Sequence, residues 1–60
     1  PSVVAAALYT AGSAAQTVGD YEMAYEAYSA SYETMPNPET LLAASDALLL
    51  MARDTTGSGG

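Results

Sequence analysis

The sequence predicts an all-α fold, an antiparallel helix hairpin followed by a third helix, on three observations. Apolar residues recur at spacings of three and four between Val4 and Val18, and an amphipathic pattern repeats between Tyr21 and Met35. Residues that end one helix and begin the next stand side by side at Gly19-Asp20 and at Pro36-Asn37-Pro38. No segment alternates with the period of two that a strand requires. Because both connections are very short, neighbouring helices must fold back on each other.

The first predicted helix begins after Ser2, a residue type that caps helix N-termini. It ends at Gly19, a common C-terminal stop. Several alanines give this segment a high helix propensity. The apolar stripe that we expect on one face consists of Val4, Leu8, Ala11, Ala15 and Val18.

The second predicted helix starts at the cap residue Asp20, and Glu22 in its first turn complements the helix dipole. One side carries Tyr21, Ala24, Tyr28, Ser31, Tyr32 and Met35. The opposite side carries Glu22, Glu26, Ser29 and Glu33. This arrangement predicts an amphipathic helix with an acidic outer face, which we interpret as solvated rather than as a calcium or acid–base site.

The third predicted helix follows the break at Pro36, with Asn37 as its cap and Pro38 at its first position. We expect it to run to Arg53. Residues 1–53 therefore form the predicted three-helix unit, and the Gly/Ser-rich residues 54–60 a flexible tail.

The composition narrows the classes of function. The chain has 60 residues, no cysteine and no histidine, so disulfides are impossible and a zinc site would need carboxylates alone. Seven acidic residues and one basic residue give a net charge of −6, which repels nucleic acid. The acidity fits either solubility or a basic partner surface. Without His, Cys or Lys, we expect no enzyme activity, no cofactor and no bound metal.

Membrane insertion is not expected either. The longest apolar stretches, Val3–Leu8 and Ala47–Ala52, are far shorter than the ~20 residues of a spanning helix. No basic-then-apolar signal peptide pattern is present, so the sequence gives no targeting signal. The expected partner is another protein or another copy of this chain, since so small a domain is marginal alone.

The spacing of particular residues resembles the tetratricopeptide repeat (TPR) family. The residues that carry the resemblance are Leu8, Ala11-Gly12, Ala15, Gly19-Asp20-Tyr21, Ala24, Tyr28, Ser31 and Pro36. The resemblance implies one repeat plus a capping helix, with Gly12 and Ala24 small so that two helices approach closely. It also implies that Leu42 and Leu49 take the large positions of the third helix. The sequence departs from the pattern at Ala11, Ala15, Ser45 and Asp46.

A groove for a peptide or protein is also implied by the resemblance. Its positions are Ala6, Tyr9, Ser13, Gln16, Thr17, Thr40, Ala43, Ala47 and Leu50. These residues are uncharged, so the basic groups that clamp a C-terminal carboxylate are missing. We expect Tyr9, Gln16 and Thr17 to contact a partner; the alternative is a solvated helix face.

A second candidate surface lies on the third helix, where Leu48, Leu49, Leu50 and Met51 follow one another. Successive helical residues point about 100° apart, so some of these side chains must stay exposed or meet another molecule. Asp46 interrupts this apolar helix, either exposed in a shifted register or paired with a base of a partner. The predicted function is a non-catalytic interaction or scaffold module of TPR type, working in a homo-oligomer or larger assembly. The alternative is a small structural subunit without a groove of its own.

Overall fold

Three α-helices make up the fold, which confirms the predicted all-α class. The computed structural model describes the backbone of residues 2–59 and the side chains of residues 2–54. Helix α1 spans Val3–Thr17, α2 spans Tyr21–Thr34 and α3 spans Pro38–Gly59. No strand occurs within residues 2–59.

Each helix begins at the cap residue that the sequence predicts. The Ser2 side chain accepts a hydrogen bond from the Ala5 backbone N–H (3.1 Å). Asp20 Oδ1 accepts one from the Met23 N–H (3.2 Å). Asn37 Oδ1 accepts one from the N–H at position 39 (2.8 Å), with Pro38 as the first helical residue. Caps of this kind contribute about 1 kcal/mol each and fix where a helix can start.

The turn between α1 and α2 is a Schellman motif. Gly19 has a φ of 86°, in the left-handed region where a side chain is strained. Its N–H donates to the Gln16 carbonyl (3.0 Å), and the Asp20 N–H donates to the Ala15 carbonyl (2.8 Å). Since Asp20 is also the cap of α2, the chain reverses direction without a separate loop.

The contact between α1 and α2 is very close at Gly12. A Cβ atom at this position would lie 2.8 Å from both Cδ1 and Cε1 of Tyr28 and 3.2 Å from the Ala24 carbonyl oxygen. Near the other end of the pair, the buried Ser31 hydroxyl donates to the Ala5 carbonyl (2.7 Å). The end of α2 thus meets the start of α1, so the two helices form an antiparallel hairpin, and Gly12 permits the close approach that the sequence predicts.

The interior is built mostly from alanine. The buried apolar residues are Ala5, Ala15, Ala24, Tyr28, Ala44 and Ala47. These residues come from all three helices. Helix α2 lies between α1 and α3 and packs against both. The accessible surface is 4103 Å², whereas a compact protein of this mass exposes roughly 3,700 Å². Much apolar side-chain surface therefore remains outside the core.

The stripe predicted for α1 is wrong at Val4, Ala11 and Val18, which are exposed. The structure buries Ala5 and Gly12 together with Ala15 instead. At Gly12 the absence of a side chain lets the Tyr28 ring approach α1, which turns the neighbouring Ala11 outward.

The register predicted for α3 is also wrong. Leu42 and Leu49, expected at inward positions, are 70% and 63% exposed. The buried residues of α3 are Thr40, Ala44 and Ala47. The inward face therefore comes two residues earlier than the resemblance implies, which is a rotation of about 200° about the helix axis.

Desolvation explains this rotation of α3. The expected register would direct Ser45 and Asp46 into the interior, where an unpaired carboxylate costs several kcal/mol. In the observed register both are exposed. Exposing a leucine forfeits about 1.5–3 kcal/mol, and small alanines at the interface allow α2 and α3 to approach closely. The observed register thus keeps the carboxylate hydrated and leaves the leucines exposed.

Helix α3 continues past Arg53, its expected end, as far as Gly59. The backbone of residues 54–59 is thus helical, and the structure describes no side chains beyond residue 54. The flexibility of the 54–60 tail stays a prediction.

Replacing Gly12 by alanine should destabilise the protein. The added Cβ meets a buried ring at 2.8 Å, and such overpacking costs about 1–3 kcal/mol. The higher helix propensity of alanine offsets about 1 kcal/mol of this loss of stability. We expect a net loss of about 1 kcal/mol in the free energy of unfolding, measured by urea denaturation. Ser13→Ala, at the exposed neighbouring position, is the control and should be neutral or stabilising. Equal stabilisation by both changes would contradict the close contact.

Candidate functional site

Two open clefts lie side by side between α1 and α3, and Tyr9 and Glu39 line both. The first cleft, about 390 Å³, lies at the start of α1 and is lined by Ser2, Ala5, Ala6, Tyr9, Thr10, Ser31, Met35, Asn37, Glu39 and Thr40. The second cleft, about 460 Å³, is lined by Tyr9, Ser13, Gln16, Tyr28, Glu39, Leu42, Ala43 and Asp46. Their shared residues make them one groove that follows the α1 helix.

Tyr9 stands where the two clefts meet. Its ring lies against that of Tyr28, with centroids 5.2 Å apart and the planes tilted by 57°. Tilted aromatic pairs of this separation are favourable. Tyr28 is buried, whereas 38% of Tyr9 remains exposed. The contact therefore fixes Tyr9 in place and presents its outer surface to the groove.

Gln16 contributes an unusual polar atom to the second cleft. The residue is half-buried, and its Oε1 is buried without a hydrogen-bond donor among the described residues. A buried acceptor left in this state costs about 1–3 kcal/mol. The side chain would have to turn this oxygen toward the cleft before a donor of a bound molecule could reach it.

The other residues that the resemblance assigned to the groove divide into two groups. Ala6 and Thr40 line the first cleft, and Ser13 and Ala43 line the second. The structure does not bring Thr17, Ala47 or Leu50 to either cleft. Thr17 is exposed and its hydroxyl donates to the Ser13 carbonyl (2.9 Å). Ala47 is fully buried in the core.

The groove is acidic, which corrects the expectation of an uncharged lining. Glu39 and Asp46 both line the second cleft. Glu39 and Asp46 were not among the groove positions that the resemblance implies, because those positions assume a different rotation of α3. Asp46 is exposed, as in one of the two alternatives that its place in an apolar helix left open.

The second candidate surface is a leucine face on α3, which consists of Leu41, Leu42, Leu48 and Leu49. Their exposed fractions are 50%, 70%, 47% and 63%. At about 100° per residue these four lie within about a third of the helix circumference, on the side away from Ala47. Leu50 and Met51 are half-buried. Of the four consecutive residues Leu48–Met51, the first two therefore belong to the exposed surface.

Other kinds of site were sought in the described part of the chain. No three metal-ligating side chains there lie close enough to hold an ion. No helix in that part has the length and apolar character needed to cross a bilayer. Comparison with known proteins finds no matching family model, no matching curated protein and no matching solved structure.

Replacing Gln16 by methionine should stabilise the isolated chain. Methionine has a similar length but no acceptor that needs a partner, so we expect a gain of about 1 kcal/mol in the free energy of unfolding. Gln16→Glu is the matched control, because it keeps the shape but places a charge in the same half-buried site and should destabilise. Denaturation in urea measures both. A loss of stability in Gln16→Met would show that Oε1 is already satisfied.

Proposed function

We propose that this chain is a non-catalytic protein-interaction module of the TPR type, which receives a segment of a partner protein in the groove between α1 and α3. The observation that carries the proposal is the position of Tyr9. It is held against Tyr28 on one side and exposed to both clefts on the other. In binding sites, a few residues contribute most of the binding energy, and partly exposed aromatic side chains in a concave surface are often among them.

Three local features support the TPR type. Gly12 allows close contact with Tyr28, Gly19-Asp20 reverses the chain in a tight turn, and a third helix follows the proline break. Each belongs to the pattern on which the resemblance rests. The rotated α3 departs from that pattern and changes which residues face the groove. The assignment to this type is therefore strongest for the α1–α2 hairpin.

The non-catalytic part of the proposal rests on the residue types present. The whole sequence lacks histidine, cysteine and lysine, which leaves carboxylates, amides, tyrosines and hydroxyls as polar side-chain groups in the groove. A nucleophile beside a base is the usual sign of covalent catalysis. The groove instead combines an aromatic ring, apolar side chains and hydrogen-bond acceptors, which suits recognition.

A peptide-display selection against the immobilised chain, followed by affinity measurements on Tyr9→Ala, tests the groove. Selected peptides should bind Tyr9→Ala about ten-fold or more weakly, since removal of a central aromatic costs about 2 kcal/mol. Tyr21→Ala, which removes a half-buried tyrosine outside both clefts, should leave the affinity nearly unchanged. Circular dichroism checks that both variants fold. Peptides that bind Tyr9→Ala as tightly as the parent would exclude the groove.

The leucine face favours a second candidate function, that of a structural subunit packed against identical or larger neighbours. Contiguous exposed leucines are typical of association surfaces. A unit whose helices form a single layer cannot cover both outer sides by itself. The two surfaces share Leu42, which lines the second cleft, whereas Leu48 and Leu49 line neither cleft. Groove binding and association through Leu48 and Leu49 are therefore compatible in one assembly.

Sedimentation velocity across micromolar concentrations tests association through the leucine face. The parent chain should form species larger than a monomer as concentration rises, and Leu48→Gln with Leu49→Gln should remain monomeric, because the buried apolar area is lost. Val3→Gln with Val18→Gln, also highly exposed apolar residues, is the matched control and should behave like the parent. A parent chain that is monomeric throughout rules out self-association.

A further inference from the structure

The groove is lined by acidic side chains and by no basic ones, a feature that the proposed function does not explain. Glu39 and Asp46 both line the second cleft. They are about two turns apart on α3, which is roughly 10 Å along the helix axis. The sequence contains one basic residue, Arg53, and it lines neither cleft. The carboxylates of the groove therefore face solvent without a base of this chain among its lining residues.

The uncharged groups of the cleft favour the same kind of ligand as the carboxylates. Gln16 lines the cleft, and its buried Oε1 is an acceptor without a donor among the described residues. When the side chain turns this oxygen toward the cleft, a lysine or arginine side chain, which carries donors only, can satisfy it. The Tyr9 ring is partly exposed beside the cleft, and aromatic faces attract cations within about 6 Å. The carboxylates, the unpaired acceptor and the aromatic face thus all favour a cationic side chain as the ligand.

We propose that the second cleft binds a basic segment of a partner protein, with one cationic side chain beside Glu39 and another beside Asp46. This inference rests on the proposed function, because it names the partner of the same groove. Charge complementarity selects the occupant: the two carboxylates of the cleft attract a basic segment, and they repel phosphate-bearing ligands and acidic segments, including those of a second copy. Leu42 and Ala43 add an apolar wall for the methylene stems of such side chains.

NMR titration with synthetic peptides tests the inference on the full chain. The probes are a peptide of alternating arginine and alanine, the same peptide with glutamine for arginine, and the same with glutamate. The sequence has a single glutamine, so the side-chain amide signal of Gln16 reports directly on the cleft. We expect this signal to shift with the arginine peptide, weakly with the glutamine peptide and not with the glutamate peptide.

Charge-neutralising variants locate the binding. Glu39→Gln and Asp46→Asn should each raise the Kd of the arginine peptide about two- to five-fold, and the double variant about ten-fold. Glu26→Gln is the matched control, because it removes the same charge from the exposed side of α2 and should change the Kd less than about 1.5-fold. Added salt should weaken binding in the parent more than in the double variant.

The outcomes separate the inference from the function on which it rests. Equal loss of affinity in Glu26→Gln and Asp46→Asn would mean diffuse attraction and overturn the inference. Equal affinity for the arginine and glutamine peptides, with both weakened by Tyr9→Ala, would overturn the inference and retain the groove. A third outcome would overturn both the inference and the groove. In it, no peptide shifts the Gln16 amide signal, and the display-selected peptides bind Tyr9→Ala as tightly as the parent.

Discussion

The close approach of α1 and α2 at Gly12 is the contact on which the other features of the structure depend. Because position 12 has no side chain, the Tyr28 ring can lie over α1. The buried ring in turn supports Tyr9 and forms the base of the second cleft. The same small spacing lets the Ser31 hydroxyl reach the Ala5 carbonyl. One missing Cβ thus sets the geometry of the hairpin and of the groove beside it.

A second constraint, the hydration of one carboxylate, sets the rotation of α3. Keeping Asp46 in water turns Ala44 and Ala47 toward α2. It also places Glu39 and Asp46 in the groove and leaves the leucine face exposed. The acidic groove and the exposed leucines are therefore two results of the same rotation. An interior of alanines can accept this arrangement, since small side chains allow close helix packing without the leucines.

Much of the fold was predictable because helix ends depend on local chemistry. Ser2, Asp20 and Asn37 act as caps through hydrogen bonds to nearby backbone groups, and Gly19 adopts a conformation that few other residues tolerate. Which side of a helix faces inward depends on its neighbours instead. An alanine-rich helix offers several stripes of similar hydrophobicity, so periodicity selected Val4, and the resemblance selected Leu42, where the structure buries smaller residues. The structure places Tyr9, Ser13 and Gln16 beside a cleft, and partner binding there stays a prediction. Glu39 and Asp46 line the same cleft because of the rotation of α3, which local sequence does not determine.

The alanine interior has a consequence for the behaviour of the chain in a cell. Alanine buries little apolar area, so an interior of this kind gives a small free energy of unfolding. A ligand that binds only the folded form, at a hundred times its Kd, adds about 2.7 kcal/mol. Proteases and chaperones act on the unfolded fraction, and increments of this size change abundance several-fold. The lifetime of this chain would then follow the supply of whatever occupies its surfaces, so its cellular level would report on complex formation.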